Sequence, residues 1–191
     1  MNKILFNISA VFVIVVIASC SRTYLIPEEY LDLIPYKQGD ELIFRSNNGV
    51  LDTLFVVDVD SFISSNDPLG INADKEETYV VLTKKDRSSS FVNKLLSLTA
   101  TEDNGIVVEL FFVSERSHFY GKKSFTVSEL NDKEVLTQKI NGNLYRDIWL
   151  FQATEREFEE RENFIERLYW SKAEGVVKYE KSNNDYWEIV R

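Results

Sequence analysis

Three Asn-Gly pairs constrain the fold of this 191-residue chain more than any other feature. Asn48-Gly49, Asn104-Gly105 and Asn141-Gly142 each lie between two apolar segments. Both residue types tolerate the positive φ that two-residue hairpin turns require, so each pair predicts two antiparallel strands joined by a tight turn. Three such turns predict a mainly β protein with a single antiparallel meander sheet, curved or barrel-like, and at most one short helix in the mature chain.

The apolar runs beside these turns have the lengths of strands. Alternate positions of Leu51–Val59 are apolar, and Asp52, Asp58 and Asp60 point to the opposite face, which we therefore predict to be solvated. Further strands are predicted at Glu41–Arg45, Tyr79–Thr83, Leu95–Thr101, Ile106–Val113, Ser124–Leu130, Glu134–Ile140, Leu144–Ala153, Gly175–Lys181 and Tyr186–Val190.

One charged stretch leaves two interpretations open. Seven of the nine residues in Thr154–Glu162 are charged, and the glutamates and arginines among them favour a helix that could continue to Leu168. The aromatic and β-branched residues that follow favour a strand instead, because they lead into Gly175. We prefer a charged loop followed by a strand at Asn163–Ser171.

The N-terminal segment has the features of an export signal. Met1–Lys3 is short and basic, and an unbroken apolar run follows from Ala10 to Ala18. That run is shorter than the about 20 apolar residues that a membrane-spanning helix needs, so its length favours a signal peptide. The alternatives are a membrane helix, or an ordinary signal peptide in which the following cysteine has no role.

The segment Ile17-Ala18-Ser19-Cys20 resembles the lipobox of bacterial lipoproteins. In that family the cysteine thiol receives a diacylglyceryl group, cleavage follows in front of the cysteine, and the freed amine receives another acyl chain. The resemblance implies that residues 1–19 are removed and that Cys20 is the lipidation site, with several acyl chains holding the protein to a membrane. Ser21 stands where an aspartate would resemble an inner-membrane retention signal, which favours the outer membrane, on its periplasmic face or at the cell surface.

Without residues 1–19, 172 of the 191 residues remain, which suits one domain. We predict a lipidated tether at residues 20–35 and an antiparallel β domain at residues 36–191. The formal charge of −9 becomes −10, because Lys3 is the only charged residue in the removed segment. An acidic surface repels nucleic acid and anionic lipid headgroups, so Cys20 remains as the expected membrane attachment.

Both ends of the predicted domain are similar to a group of small, uncharacterised Gram-negative lipoproteins. Ile34–Ser46 resembles the opening of these proteins. Tyr169–Lys172, Gly175–Glu180 and Trp187-Glu188 resemble the way in which they end. The resemblance implies a β-rich domain behind a lipid anchor, and it brings no activity, cofactor or functional residues.

The residues that could carry chemistry form no recognisable catalytic pattern. His118 is the only histidine, and the chain lacks the G-x-S-x-G turn of many serine hydrolases, so we interpret His118 as a solvated loop residue. Zinc needs several histidine or cysteine ligands, which this chain does not have. Asp58–Ser61 begins like a calcium loop, but Phe62 and Ile63 replace the next ligand and the glycine. We therefore predict no metal, no cofactor and no catalysis, with a carboxylate-based hydrolase as the remaining enzymatic alternative.

Aromatic residues are abundant, with thirteen Phe, nine Tyr and three Trp. We expect most of them to fill the core, because strands favour aromatic residues, although some could line a sugar-stacking platform or an apolar pocket. We therefore predict an envelope protein that binds a protein or glycan partner. The alternative is a carrier of a lipid or other apolar ligand inside a curved sheet. The candidate aromatic residues are Phe111, Phe112, Phe119, Tyr120, Tyr145, Trp149 and Phe151.

Overall fold

A computed structural model describes residues 22–65, 74–114, 117–118, 123–153 and 164–190. The predicted lipidation site, Cys20, therefore lies outside the described residues. The described chain confirms the predicted fold class, since it is mainly β and forms one antiparallel sheet curled into a half-barrel. Two short helices accompany this sheet, one more than predicted: a 3-10 helix at Glu28–Leu33 and an α-helix at Val127–Asp132.

Fourteen strands lie within the described residues. They are β1 (Thr23–Tyr24), β2 (Glu41–Ser46), β3 (Leu51–Ser65), β4 (Lys75–Lys84), β5 (Asn93–Thr101), β6 (Gly105–Leu110), β7 (Val113–Ser114), β8 (Ser117–His118), β9 (Lys123–Thr126), β10 (Leu136–Ile140), β11 (Asn143–Gln152), β12 (Ile165–Ser171), β13 (Gly175–Lys181) and β14 (Tyr186–Ile189).

The sheet consists of two meanders joined by strands that are far apart in sequence. The order is β10-β11-β12-β13-β14-β2-β3-β4-β5-β6-β9, so the last strand pairs with an early one. At this junction Ile189 lies opposite Phe44, and Glu188 lies opposite Arg45. Among the described strands, β10 and β9 end this order. The short β1 pairs in parallel with β4, and β7 pairs only with β8.

The three Asn-Gly turns are confirmed. They join β2 to β3, β5 to β6 and β10 to β11. Their glycines have φ values of 82°, 68° and 87°, in the left-handed region. Only Asn141-Gly142 forms a two-residue turn, since Asn141 also has a positive φ of 45° and Ile140 pairs with Asn143. The other two loops are longer, as between the paired residues Thr101 and Gly105, and there only the glycine has a positive φ.

The strand predicted at Gly175–Lys181 has the predicted bounds, and the strand predicted at Asn163–Ser171 is confirmed as β12. The charged loop predicted at Thr154–Glu162 lies outside the described residues.

The strand predicted at Ser124–Leu130 is wrong in its second half. The strand β9 ends at Thr126, and the α-helix begins at the next residue. Thr126 Oγ1 accepts a hydrogen bond from Glu129 N at 3.2 Å, and Thr126 N donates to Glu129 Oε2 at 2.7 Å. This reciprocal capping box satisfies two backbone donors that a helix start leaves without partners, and it overrides the apolar alternation.

We expect Thr126→Ala to lower the free energy of unfolding by about 1 kcal/mol, because the Glu129 amide loses its acceptor. Ser128→Ala is the matched control, since Ser128 is exposed inside the same helix and alanine favours helix there. Urea denaturation of both variants checks this prediction. Equal stability of the two variants would show that the cap contributes nothing.

The predicted faces of β3 are reversed in its first half. Asp52, Leu54 and Val56 are buried, at 1%, 1% and 2% exposure, whereas Leu51 is 56% exposed. The pairing with β4 then shifts at a bulge between Val56 and Asp58. The sequence prediction placed Asp52 on the solvated face because it treated the aspartate as unpaired, whereas other residues of the fold neutralise it inside the curl.

Residues 22–35, the described part of the predicted tether, pack on the sheet. Ile26 is buried, and Tyr30, Leu31, Leu33 and Ile34 contact the core. Within the described part of the chain, no helix is long and apolar enough to cross a membrane.

Candidate functional site

The candidates for chemistry in the sequence are His118 and the acidic residues. The backbone of His118 lies in β8, with His118 opposite Val113, rather than in a loop. Among the described residues, no group of three or more His, Cys, Asp or Glu side chains lies close enough to hold a metal ion.

The candidate aromatic residues mainly fill the interior. Phe112, Tyr145, Trp149 and Phe151 are buried, and Phe111 is half-buried with Lys94 Nζ at 4.7 Å from its ring centroid. Phe119 and Tyr120 lie outside the described residues. The expectation that aromatic residues form the core is thus confirmed for four of the seven candidates.

A charged group lies inside the curl, next to a cluster of interior aromatic rings that includes Phe112. Asp52 Oδ1 is paired with Lys85 Nζ, and Tyr179 Oη donates to Asp52 Oδ2 at 3.1 Å. The ring of Tyr179 stacks on Trp187, with 5.1 Å between centroids and 5° between planes, and contacts Phe44 and Phe112 edge-on or tilted. The cation and the phenol compensate the burial of the carboxylate, so this interior cluster can hold the strands together.

A narrow apolar cavity also lies in the interior. Its volume is about 10 Å³, about the space that one water-sized sphere occupies. An acyl chain or similar ligand cannot enter a space of that size without moving the core. The lining residues are Leu33, Val108, Leu110, Leu130, Trp149, Phe151 and Trp170.

The opposite face of the sheet carries a second charged cluster, on β12, β13 and β14. Two cross-strand rows form it, because Tyr169 lies opposite Lys178 and Lys178 opposite Glu188, while Arg167 lies opposite Glu180 and Glu180 opposite Tyr186. Side chains alternate along a strand, so this face is opposite to the one on which Tyr179 enters the core. We name this group the outer patch, and its members are Arg167, Tyr169, Lys178, Glu180, Tyr186 and Glu188.

The polar groups of the outer patch hold one another in place. Lys178 Nζ lies 2.8 Å from Glu180 Oε1 and 3.8 Å from a carboxylate oxygen of Glu188. Arg167 Nε lies 3.0 Å from Glu180 Oε2. Lys178 Nζ also lies 5.2 Å from the ring centroid of Tyr169 and 4.7 Å from that of Tyr186, within the range of cation–π attraction.

Burial differs sharply within the outer patch. Lys178 is 9% exposed, whereas Tyr186 is 36% exposed and the side chain of Arg167 is 38% exposed. The inner members therefore form a largely buried charged base, while Tyr186 and Arg167 expose a ring and a guanidinium to solvent. An aromatic ring beside fixed carboxylates and cations can stack against an apolar surface and hydrogen-bond to hydroxyl or amide groups.

The environment of the outer patch changes one ionisation. Desolvation, followed by the nearby Glu180 carboxylate and the hydrogen bond that Tyr169 donates to it, raises the pKa of Tyr169 to about 12. The phenol therefore keeps its proton to higher pH in the folded chain than in the unfolded chain. Its contribution to the free energy of unfolding is complete below pH 10 and is lost as the pH rises towards 12.

We therefore expect the stability of Tyr169→Phe to fall less between about pH 10 and pH 12 than that of the unmodified chain. Phenylalanine keeps the ring that Lys178 contacts but has no proton to lose. Urea denaturation across this pH range, together with an ultraviolet titration of tyrosinate, checks the prediction. Parallel stability curves for the two proteins would contradict it.

Sequence reasoning missed both charged clusters. Asp52 was assigned to a solvated face, and the outer patch requires the register of three strands, which the sequence does not display. One signal was present, because Lys178 and Glu180 alternate with the apolar Val177 and Tyr179. That alternation identifies an outward face of β13 but not the neighbours of that face.

Comparison with known proteins adds no relative. No family model, no curated protein and no solved structure matches this chain.

Proposed function

We propose that this protein is a non-catalytic lipoprotein of the bacterial cell envelope, anchored through lipid on Cys20, that binds a protein or glycan partner through the outer patch. The proposed location is the outer membrane, on its periplasmic face or at the cell surface. The anchor is supported by the resemblance of Ile17–Cys20 to a lipobox.

The single observation that carries the binding role is the order of the outer patch. Its ion pairs fix the carboxylates and cations on three neighbouring strands before any partner arrives. Groups that are already ordered lose little conformational entropy on binding, and groups on strands are placed more accurately than groups on loops. Tyrosine and arginine, the two more exposed members, are also the side chains most often responsible for binding energy in interfaces.

The alternative role, a carrier of a lipid or other apolar ligand, receives less support from the described residues. Small-molecule pockets usually enclose about 300 to 1,000 Å³. The apolar cavity of the interior encloses about 10 Å³. A second cavity, of about 320 Å³, is open to solvent and lined in part by Lys133, Glu134 and Gln152, whose polar groups do not suit an apolar ligand. The outer patch therefore has the stronger claim to a ligand.

The anchor is tested by a Cys20→Ser variant of the full chain, expressed in a Gram-negative bacterium that is fed labelled palmitate. We expect the unmodified protein to carry the label and to fractionate with membranes. The variant should carry no label and should not be held by lipid. A labelled variant, or an unlabelled unmodified protein, would overturn the proposed anchor.

The binding role is tested by Tyr186→Ala, with Phe91→Ala as the matched control. Both residues are exposed aromatic residues, at 36% and 81%, but only Tyr186 belongs to the outer patch. Each purified protein is mixed with a polysaccharide fraction and with a protein fraction from the envelope. We expect binding to one fraction to fall about tenfold in Tyr186→Ala, as for a residue that contributes strongly to an interface, and to be retained in Phe91→Ala.

Protease treatment of the bound fraction separates the two classes of partner, because it removes a protein partner and leaves a glycan intact. Equal binding by Tyr186→Ala and the unmodified chain would show that the outer patch is not the binding surface. The absence of binding to either fraction would overturn the binding role itself.

A further inference from the structure

Exposed apolar side chains mark the corner of the sheet where the described chain begins. Leu25 is 60% exposed, Phe62 is 50% exposed and Ile63 is 55% exposed. Phe62 and Ile63 lie on the part of β3 that pairs with the first residues of β4, and Leu25 directly follows β1. We name these three residues the anchor corner.

The start of the described chain is tied to this corner. Arg22 N donates to Asp74 Oδ1 at 2.7 Å, and Lys75 N donates to Arg22 O at 2.8 Å. Farther along, Ile26 N donates to Glu77 Oε2 at 2.8 Å. Because Glu77 is the ladder partner of Ile63, the first strand and the exposed part of β3 lie on either side of the same segment of β4.

Simple distances place the proposed lipid beside the anchor corner. Only Ser21 lies between Cys20 and Arg22, so the chain spans at most about 7 Å over these two residue steps. Arg22 and Ile63 are separated by two residues along β4, about 7 Å, and by two strand spacings across it, about 10 Å, which gives a direct distance of about 12 Å. The other end of β4, at Lys84, lies about 30 Å from Lys75. A membrane that holds Cys20 is therefore much closer to Ile63 than to the loop after Lys84.

We propose that the anchor corner points end-on into the headgroup region of the membrane that holds Cys20. In this orientation Phe62 and Ile63, which point to opposite faces of β3, both reach the lipid, together with Leu25. This proposal rests on the proposed lipid anchor. Its new element is a fixed orientation of the β domain relative to the membrane. Burial of apolar surface supplies the attraction, since these side chains are exposed in the isolated chain.

The charges around the anchor corner select the type of surface. The corner has more acidic than basic residues nearby: Asp74, Glu76 and Glu77 compared with Arg22 and Lys75. It therefore has no excess of positive charge with which to attract anionic lipid. We therefore assign a zwitterionic lipid surface as the occupant, held by apolar contact rather than by charge.

The experiment uses the single cysteine of the chain. Once Cys20 carries lipid, its sulfur cannot react, so Ile63→Cys and Phe91→Cys each provide one thiol for an environment-sensitive fluorophore. The lipidated proteins are placed in phosphatidylcholine vesicles, and flotation of the same samples verifies the anchor. We expect the label at position 63 to emit at shorter wavelength than the label at position 91, and to lose emission when the headgroups carry a nitroxide quencher.

Phe91→Cys is the matched control, because Phe91 is also an exposed apolar residue but follows the distant end of β4. Circular dichroism verifies that both labelled variants are folded. A protein that does not float with the vesicles contradicts the proposed anchor. A protein that floats while both labels show equal emission and no quenching overturns the orientation alone. The short-wavelength emission at position 63 could also disappear when the protein is diluted in the vesicles. That result would identify a second copy of the protein, and not lipid, as the neighbour of the anchor corner, and it would also overturn the proposed orientation.

Discussion

Replacement of Gly175 with alanine is expected to lower the free energy of unfolding by about 3 kcal/mol or more, the sum of a left-handed backbone penalty and an overpacked core. Gly175 has a φ of 77°, which a residue with a Cβ adopts at a cost. An added Cβ would lie 2.0 Å from Tyr36 Oη and 2.3 Å from Tyr36 Cζ, so one of the two residues must move.

Tyr36 cannot move without further loss. It is 4% exposed, its hydroxyl accepts a hydrogen bond from Val176 N at 2.8 Å, and its ring meets that of Trp170 edge-on at 5.8 Å. Burial also raises the pKa of Tyr36, which agrees with a hydroxyl enclosed by the core. Displacement of the ring would leave the Val176 amide, inside the sheet, without its acceptor.

The matched control is Gly142→Ala. Gly142 has a similar φ of 87°, but an added Cβ would have no atom within 4 Å. The control should therefore lose only the left-handed backbone penalty, about 1 kcal/mol. Urea denaturation of the two variants separates the contributions, and equal losses would show that Tyr36 does not constrain position 175.

The contrast between these glycines shows what the sequence can predict. Gly142 belongs to an Asn-Gly pair, and this pair with its flanking apolar residues is enough to predict the turn. The contact between Gly175 and Tyr36 joins positions that are far apart in the chain, and no local pattern reports it. Sequence reasoning therefore identified the turns and most strands correctly, while the pairing of β14 with β2, which brings the two meanders together, emerged only from the structure.

The candidate site follows the same division. The alternation in β13 was visible in the sequence, but the outer patch also needs Arg167 and Glu188, which the register of two neighbouring strands brings to the same rows. Thr126 and Glu129 form a recognisable helix-start signal that the strand interpretation passed over. Local signals of this kind can be recovered from sequence, whereas cross-strand neighbours cannot be read from one sequence alone.

Asp52→Ala is expected to lower the free energy of unfolding by about 3 kcal/mol, near the lower end of the range for a broken buried ion pair. The loss is at this end because the Lys85 side chain is 39% exposed and can turn towards water. Tyr179 is 1% exposed, so its hydroxyl loses the Asp52 acceptor in a place that water does not reach easily.

Asp60→Ala provides the control, because Asp60 lies on the same strand and is exposed. It should change stability by no more than about 0.5 kcal/mol. Urea denaturation of Asp52→Ala, Tyr179→Phe and the double variant completes the test. Since the two residues share one hydrogen bond, the double variant should lose less than the sum of the single losses. Additive losses would mean that the hydrogen bond between Tyr179 and Asp52 contributes nothing to stability. Equal losses for Asp52→Ala and Asp60→Ala would mean that Asp52 is solvated, as its sequence pattern predicts.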